Sequence, residues 1–254
     1  MDVFARRNPR LDFLRDRHAG QRCVLVANGP SLNRMDLAPL RDEIVIGMNK
    51  IHLGLPAFGF YPRYYVAVNR KVIAQSAAEI RAMRCVKLLG SHARACGLAD
   101  DALTYVVNSE QPPARFSQDL ALGLHEGWTV TYAALQVAWH LGFRQVVIVG
   151  LDHRYEFSGK ANEARVMHGP DPNHFAAGYF GGGQEWDNPD LPRSEESYRI
   201  ALDEFKRAGR VIQDASLDGA CTIFPKIDLH RALGLGRGAK PPAPAAARTS
   251  ASSR

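Results

Sequence analysis

The segment Cys23-Val24-Leu25-Val26-Ala27 is a continuous apolar run between Gln21-Arg22 and a turn, the pattern of a strand buried on both faces. Ile44-Val45-Ile46-Gly47-Met48 and Tyr64-Tyr65-Val66-Ala67-Val68 repeat it, and Gln145-Val146-Val147-Ile148-Val149-Gly150 shows it most strongly. Between these runs the spacing changes to that of helices. One is predicted over Arg70 to Met83, and a second over Val130 to Leu141, where Val130, Ala133, Ala134, Val137 and Leu141 share a face. Strands alternating with helices predict an α/β protein built on a doubly wound, mostly parallel sheet with right-handed crossovers. Weaker strands are predicted over Cys85 to Leu89, Leu103 to Val107, Arg210 to Gln213 and Thr222 to Phe224, and a late helix over Ser194 to Ala208.

Three segments fall outside that alternation. Residues 1–20 mix Phe4, Leu11, Phe13 and Leu14 with arginines and aspartates, which predicts a short amphipathic helical extension. The stretch from Asp152 to Pro192 is rich in glycine, proline and aromatics; so long a loop inside a compact domain predicts a lid, taken as 153–192. From Gly234 to Arg254 the chain is mostly Gly, Pro, Ala, Ser and Arg, too apolar-poor to offset the entropy of ordering, so disorder is expected there.

Composition narrows the function classes. A chain of 254 residues that is 46% hydrophobic supports one sizeable core, assigned here to residues 21–233. Its four cysteines, Cys23, Cys85, Cys96 and Cys221, are too scattered for a zinc site and too few for a disulfide framework, which favours a reducing compartment. No apolar run reaches the length of a membrane span, and Met1 to Arg7 leads into no apolar signal core, so a cytoplasmic protein is expected. Peripheral membrane association and oligomeric state stay open. The net charge of +6 is spread among acids and accompanied by no nucleic-acid motif, so a phosphorylated small molecule is the expected anionic partner.

Candidate chemistry gathers at the strand ends. The first three strong strands end in Asn28, Asn49 and Asn69, and the later one runs into Gly150-Leu151-Asp152. In open parallel sheets ligands bind outside the carboxyl ends of the strands, so these residues point at one crevice. Carboxamides donate and accept, and hence can hold ribose, base or phosphate oxygens without repelling a polyanion. Asn28-Gly29-Pro30-Ser31 adds a close-approach glycine, a stiff turn and a hydroxyl expected to cap a short helix near Leu32. Thr129 in Gly127-Trp128-Thr129-Val130-Thr131 is a second expected N-cap, presenting amides to an anion. Arg70 and Lys71 follow Asn69 and can neutralise a phosphate. His174 is the candidate general base, with His168 and His153 as weaker ones, and Asp171 or Glu185 can orient a histidine or a metal.

These residues carry a resemblance. The opening strand into Asn-Gly-Pro-Ser, with Thr129 to Asp152 running through helix, Leu-Gly-Phe, strand and Gly-Leu-Asp, resembles the MptE-like family and its relatives, the bacterial sialyltransferases of glycosyltransferase family 42, over about residues 22–229. The resemblance implies a Rossmann-like domain with a mobile lid. It also implies that Asn28, Gly29, Ser31, Asn49 and Asn69 hold a CMP-type nucleotide, with Thr129 and Thr131 in place of the family's Thr-Ser-Gly. Asp152 and Tyr155 join His174 as implied catalytic residues. The chain departs from the family pattern where Arg154 stands at the place of a tyrosine and Gly178 at that of the lid base.

The expected function is thus that of a nucleotide-dependent transferase, glycosyltransferase-like, taking a nucleotide-activated small molecule in a glycan or surface-polysaccharide context. No tightly bound cofactor or metal is expected. Pyrophosphoryl transfer from ATP to a 6-hydroxymethylpterin is the alternative, and that reaction would bring Mg2+ with it. A non-catalytic nucleotide-binding module is the third.

Overall fold

The structure is a computed structural model describing residues 7–111 and 115–235. Strands β1 (Arg22–Val26), β2 (Val45–Met48), β3 (Tyr64–Ala67), β4 (Val86–Leu89) and β5 (Thr104–Val106) come first. They are followed by two short strands, β6 (Ser109–Glu110) and β7 (Leu124–His125), then β8 (Gln145–Val149), β9 (Ala164–Met167), β10 (Gln184–Asp187) and β11 (Val211–Asp214). The helices are α1 (Leu55–Phe58), α2 (Arg70–Gln75), α3 (Ala77–Ala82), α4 (Val130–His140), α5 (Leu191–Arg207) and α6 (Leu229–Ala232).

Seven strands form the central sheet in the order β11-β8-β1-β2-β3-β4-β5, every neighbouring pair parallel. Because both faces are covered, the strands are apolar throughout, and alternate residues enter opposite cores. Cys23, Leu25 and Ala27 of the first strand face the layer holding α4 and α5, while Val24 and Val26 face the layer holding α2, α3 and the lid aromatics. This is the Rossmann-like, doubly wound α/β fold that the hydrophobic pattern and the resemblance anticipate. The winding reverses beside β1, whose neighbours are β2 and β8. A crevice opens there between the carboxyl ends of β1 and β8, the place where such sheets bind ligands.

Four local expectations are corrected. The helix over Arg70–Met83 is two helices, interrupted at Ser76, which is buried and whose backbone (φ −125, ψ 20) leaves the helical region. The late helix starts at Leu191, not Ser194, because Asp190 caps it by accepting from the Arg193 N–H (3.3 Å) and Pro192 fits a first turn that needs no amide donor. Thr222–Phe224 is not a strand. Pro225 interrupts the segment, leaving one bridge between Asp214 and Lys226. The N-terminal helix is a 3-10 turn over Pro9–Leu14 capped by Asn8, burying Leu11 and Leu14; residues 1–6 lie outside the described residues, as does the tail from 236 onward for which disorder is expected.

Between β8 and α5 the chain forms the antiparallel hairpin β9/β10 and an irregular segment that buries Phe175, Tyr179, Phe180 and Trp186. It is anchored by side chains of α2 and by the backbone at the end of β1. Lys71 pairs with Asp187 (2.7 Å), Gln75 donates to the Glu185 carbonyl (2.8 Å), and the Phe175 N–H donates to the Asn28 carbonyl (3.0 Å).

Candidate functional site

The carboxyl ends of β1, β2, β3 and β8, the start of α4 and the underside of the lid enclose a cavity of about 480 Å3. Asn28, Gly29, Asn49, Asn69, Thr129 and Thr131 line it, and so do Asp152, Tyr155 and His174. The expected residues therefore meet in one place, with three exceptions. Arg70 is exposed on α2 and does not line the cavity; the adjacent Lys71 is held by Asp187 and Glu185. Pro30 and Ser31 stand behind the wall. Ser31 caps nothing: its N–H donates to Asp152 Oδ2 (2.8 Å) and its hydroxyl to Asp152 Oδ1.

The role of the Asn28-Gly29-Pro30-Ser31 turn follows from those bonds. The Gly29 N–H donates to the Gly150 carbonyl (2.8 Å), joining the ends of β1 and β8, and the turn then fixes both oxygens of Asp152. A Cβ on Gly29 would overlap the Asp152 carboxyl and stand 2.7 Å from the Gly150 carbonyl oxygen. Gly29→Ala is therefore expected to destabilise the protein by about 1–3 kcal/mol and to dislodge Asp152. Urea unfolding checks it; an undiminished midpoint would show that the two strand ends can part without cost.

Carboxamides dominate the polar wall. Asn69 caps α2, its side-chain oxygen accepting from the N–H groups of Lys71 (2.9 Å) and Val72 (3.1 Å), which leaves its amino group for a ligand. Asn28 Oδ1 and Asn49 Oδ1 are buried with no hydrogen-bond partner. Asn188 in the lid, 1% exposed, is the third such residue in the cavity wall and one the sequence did not single out. Its amino group donates to the carbonyls of Ser158 (2.8 Å) and Lys160 (2.9 Å), so the orphaned atom is necessarily the oxygen, an acceptor. A buried acceptor without a donor costs about 1–3 kcal/mol. Three around one cavity are acceptors open to the hydroxyl or amino donors of whatever fills it, water or ligand.

Charges in the wall are mostly spoken for. Asp187 pairs with Lys71, Asp190 caps α5, and Glu126 accepts from the Ser109 hydroxyl (2.7 Å) and Gln111 (2.6 Å). Arg154 also lines the cavity, exposed and, among the described residues, without an ion pair or hydrogen bond. With the N-terminus of α4, where Thr129 caps by accepting from the Thr131 N–H (3.4 Å), it supplies positive potential for an anion. Among the described residues no three histidine, cysteine or carboxylate side chains converge to hold a metal ion. Both Asp152 oxygens accept from Ser31, one from its N–H and one from its hydroxyl.

His174 is held by Asp171 and Tyr179. Its Nδ1 donates to Asp171 Oδ2 (2.8 Å), and its ring stacks on Tyr179 with centroids 3.9 Å apart. The buried Asp171 accepts in addition from the N–H groups of Asn173 (2.8 Å) and Phe180 (3.3 Å). With Nδ1 occupied, Nε2 is the nitrogen left to take a proton. Tyr155, edge-on to His174, has its phenol pushed up to about 12 by burial and by the nearby Asp152 and Asp171 carboxylates, so it stays a protonated hydrogen-bond donor. Of the alternatives, His168 is exposed at the end of β9 and does not line the cavity, and His153 lines it but is engaged by Glu195 (3.3 Å).

Comparison with known proteins places this geometry. Residues 4–157 match the family model described as 6-hydroxymethylpterin diphosphokinase MptE-like. No curated protein matches. Among solved structures the chain is similar to the MAf glycosyltransferase from Magnetospirillum magneticum AMB-1, with a TM-score of 0.51 and 17% identity over 83% of this chain and 34% of that one. At that identity the likeness is one of fold, and the chain spans about a third of that protein's length. No helix among the described residues is long and apolar enough to cross a membrane.

Proposed function

The chain belongs to the MptE-like family, and from that premise we propose that it is a nucleotide-dependent, glycosyltransferase-like enzyme whose cavity takes a nucleotide-activated sugar. The observation that carries this reading is the set of orphaned carboxamide oxygens of Asn28, Asn49 and Asn188 around one cavity at the switch point of the sheet. Hydroxyl and amino groups of a nucleotide sugar satisfy those acceptors. Arg154 and the amides at the start of α4 neutralise its phosphate.

In this reading His174 Nε2 removes the proton from the acceptor hydroxyl, and the freed oxygen attacks the anomeric carbon. The bond from that carbon to the phosphate oxygen breaks, and its electron pair leaves with the nucleotide. Asp171 holds the imidazole in the correct tautomer and stabilises the imidazolium that forms. Tyr155 donates a hydrogen bond from within the cavity.

A thermal-shift panel of CMP, CDP, UDP, GDP and ATP, with and without Mg2+, tests the proposal. A ligand at 100 times its dissociation constant adds about 2.7 kcal/mol of stability, and at least one nucleotide is expected to do so. Asn28→Ala should weaken that nucleotide by about five- to tenfold, the loss of one neutral hydrogen bond. If no nucleotide moves the transition, the reading fails. The family description names pyrophosphoryl transfer to a pterin, so ATP with 6-hydroxymethylpterin forms the second arm, and stabilisation confined to that arm would replace the sugar reading.

A further inference from the structure

Trp128 occupies a position that no packing need explains. Its φ is +67, the left-handed region that a bulky side chain rarely enters, and it follows Gly127 at φ +58. Gly127 cannot be replaced without loss of this conformation, since a Cβ there would overlap the Tyr132 ring. Two successive left-handed residues therefore set Trp128 at the mouth of α4, half-buried, in the wall of the cavity.

Strain of this kind persists only when the surroundings over-determine it, and it concentrates at ligand sites. Here α5 supplies the restraints. The Ser197 hydroxyl donates to the Gly127 carbonyl (2.6 Å), the Ser194 hydroxyl approaches the Trp128 carbonyl (3.5 Å), and the Arg193 guanidinium lies over the indole at 4.4 Å from its centroid. Trp128 lines the cavity and Arg193 does not. Among the described residues no aromatic ring packs on Trp128, and the stacked pair His174 and Tyr179 lines the same cavity. A large ring restrained by α5 thus lines a cavity whose next residues, Thr129 to Thr131, stand at the N-terminus of α4.

We propose that Trp128 is the platform on which the planar heteroaromatic ring of the ligand stacks, a nucleobase or a pterin, beside the phosphate held at the start of α4. The inference rests on the proposed transferase reading and names the ring contact that this reading lacks. Stacking on an aromatic side chain tolerates any π-face, so Trp128 contributes affinity for ring-bearing ligands as a class. Choice among bases falls to the carboxamides around it.

The test uses the full chain with CMP, UMP, AMP and 6-hydroxymethylpterin, measured by calorimetry and by tryptophan fluorescence on the wild type, Trp128→Phe and Trp128→Leu. For each ligand that the wild type binds, Trp128→Leu is expected to lose about ten- to a hundredfold in affinity. Trp128→Phe keeps a π-face, so it should stay within about threefold and should lack the part of the fluorescence quench due to Trp128. The ligand that binds distinguishes nucleobase from pterin. If Trp128→Leu binds like the wild type, or Trp128→Phe loses as much as Trp128→Leu, the platform is overturned while the transferase reading stands. If the wild type binds none of the four, the variants are measured with the nucleotide that stabilises it in the thermal-shift panel; if none does, that reading itself fails and takes the platform with it.

Discussion

Replacing His174 by alanine is expected to lower turnover by about 10²–10⁴-fold, the range of a positioned general base, with little change in nucleotide affinity. Asp171 is buried, bonded to the Asn173 and Phe180 amides, and accepts from His174 Nδ1, so the imidazole presents Nε2 to the cavity in a fixed tautomer. Asp171→Asn keeps an acceptor near Nδ1 but removes the charge that stabilises the imidazolium, so a smaller loss of turnover is expected, again with nucleotide affinity retained. Donor hydrolysis, or transfer to an identified acceptor, measured for wild type, His174→Ala and His168→Ala decides it. A wild-type rate in His174→Ala would remove this histidine from the chemistry; an unchanged rate in His168→Ala is expected, since that ring is exposed away from the cavity.

Raising the pH from 8 to 10.5 is expected to stabilise the wild type relative to Lys50→Met by up to about 3 kcal/mol. Lys50 follows Asn49 at the end of β2 and is 2% exposed. Its ammonium donates to the Tyr179 carbonyl (2.7 Å), to Gln75 Oε1 (3.1 Å) and to Gln184 Oε1, and lies 4.5 Å from the Phe180 ring centroid. Among the described residues no carboxylate comes within ion-pair distance of it. Burial therefore pulls this ammonium down to about 8, against the opposing pull of Asp171 and Glu79. Between that value and 10.5 the unfolded chain binds the proton that the folded chain has released, so stability rises with pH across this window; below pH 8 both states are charged and the folded one carries the full desolvation cost. Because two of the three bonds of the Lys50 ammonium are to lid residues, Tyr179 and Gln184, its protonation is expected to affect how firmly the lid is held to β2. Chemical denaturation of both proteins at pH 7, 9 and 10.5 measures the difference. A gap between wild type and Lys50→Met that does not change with pH would show that the ammonium keeps its ordinary proton affinity in the folded protein because its site is wet.

The apolar runs at Cys23–Ala27, Tyr64–Val68 and Gln145–Gly150 determined the parallel sheet by themselves, because a strand covered on both faces has no polar side to show. The asparagines that end the first three strands were legible for the same reason. In a doubly wound sheet the residue after each strand falls on the ligand side, so position in sequence already implies position in the crevice. Thr129 was legible as a cap, since capping is a local bond between residues two apart. What the sequence left undecided depends on distant residues meeting. Ser31 reads locally as a helix cap, yet it is bonded to Asp152, 121 positions away, because β1 and β8 are neighbours in the sheet. Arg70 and Lys71 read alike, and only the lid, by bringing Asp187 to Lys71, separated an exposed arginine from a held lysine. Asn188, Lys50 and the strained Trp128 carry no local signal, since an unpaired oxygen, a desolvated ammonium and a left-handed indole are consequences of what tertiary packing withholds or supplies. Local pattern set the elements and their order; the burial of polar groups, which needs every neighbour in place, decided the site.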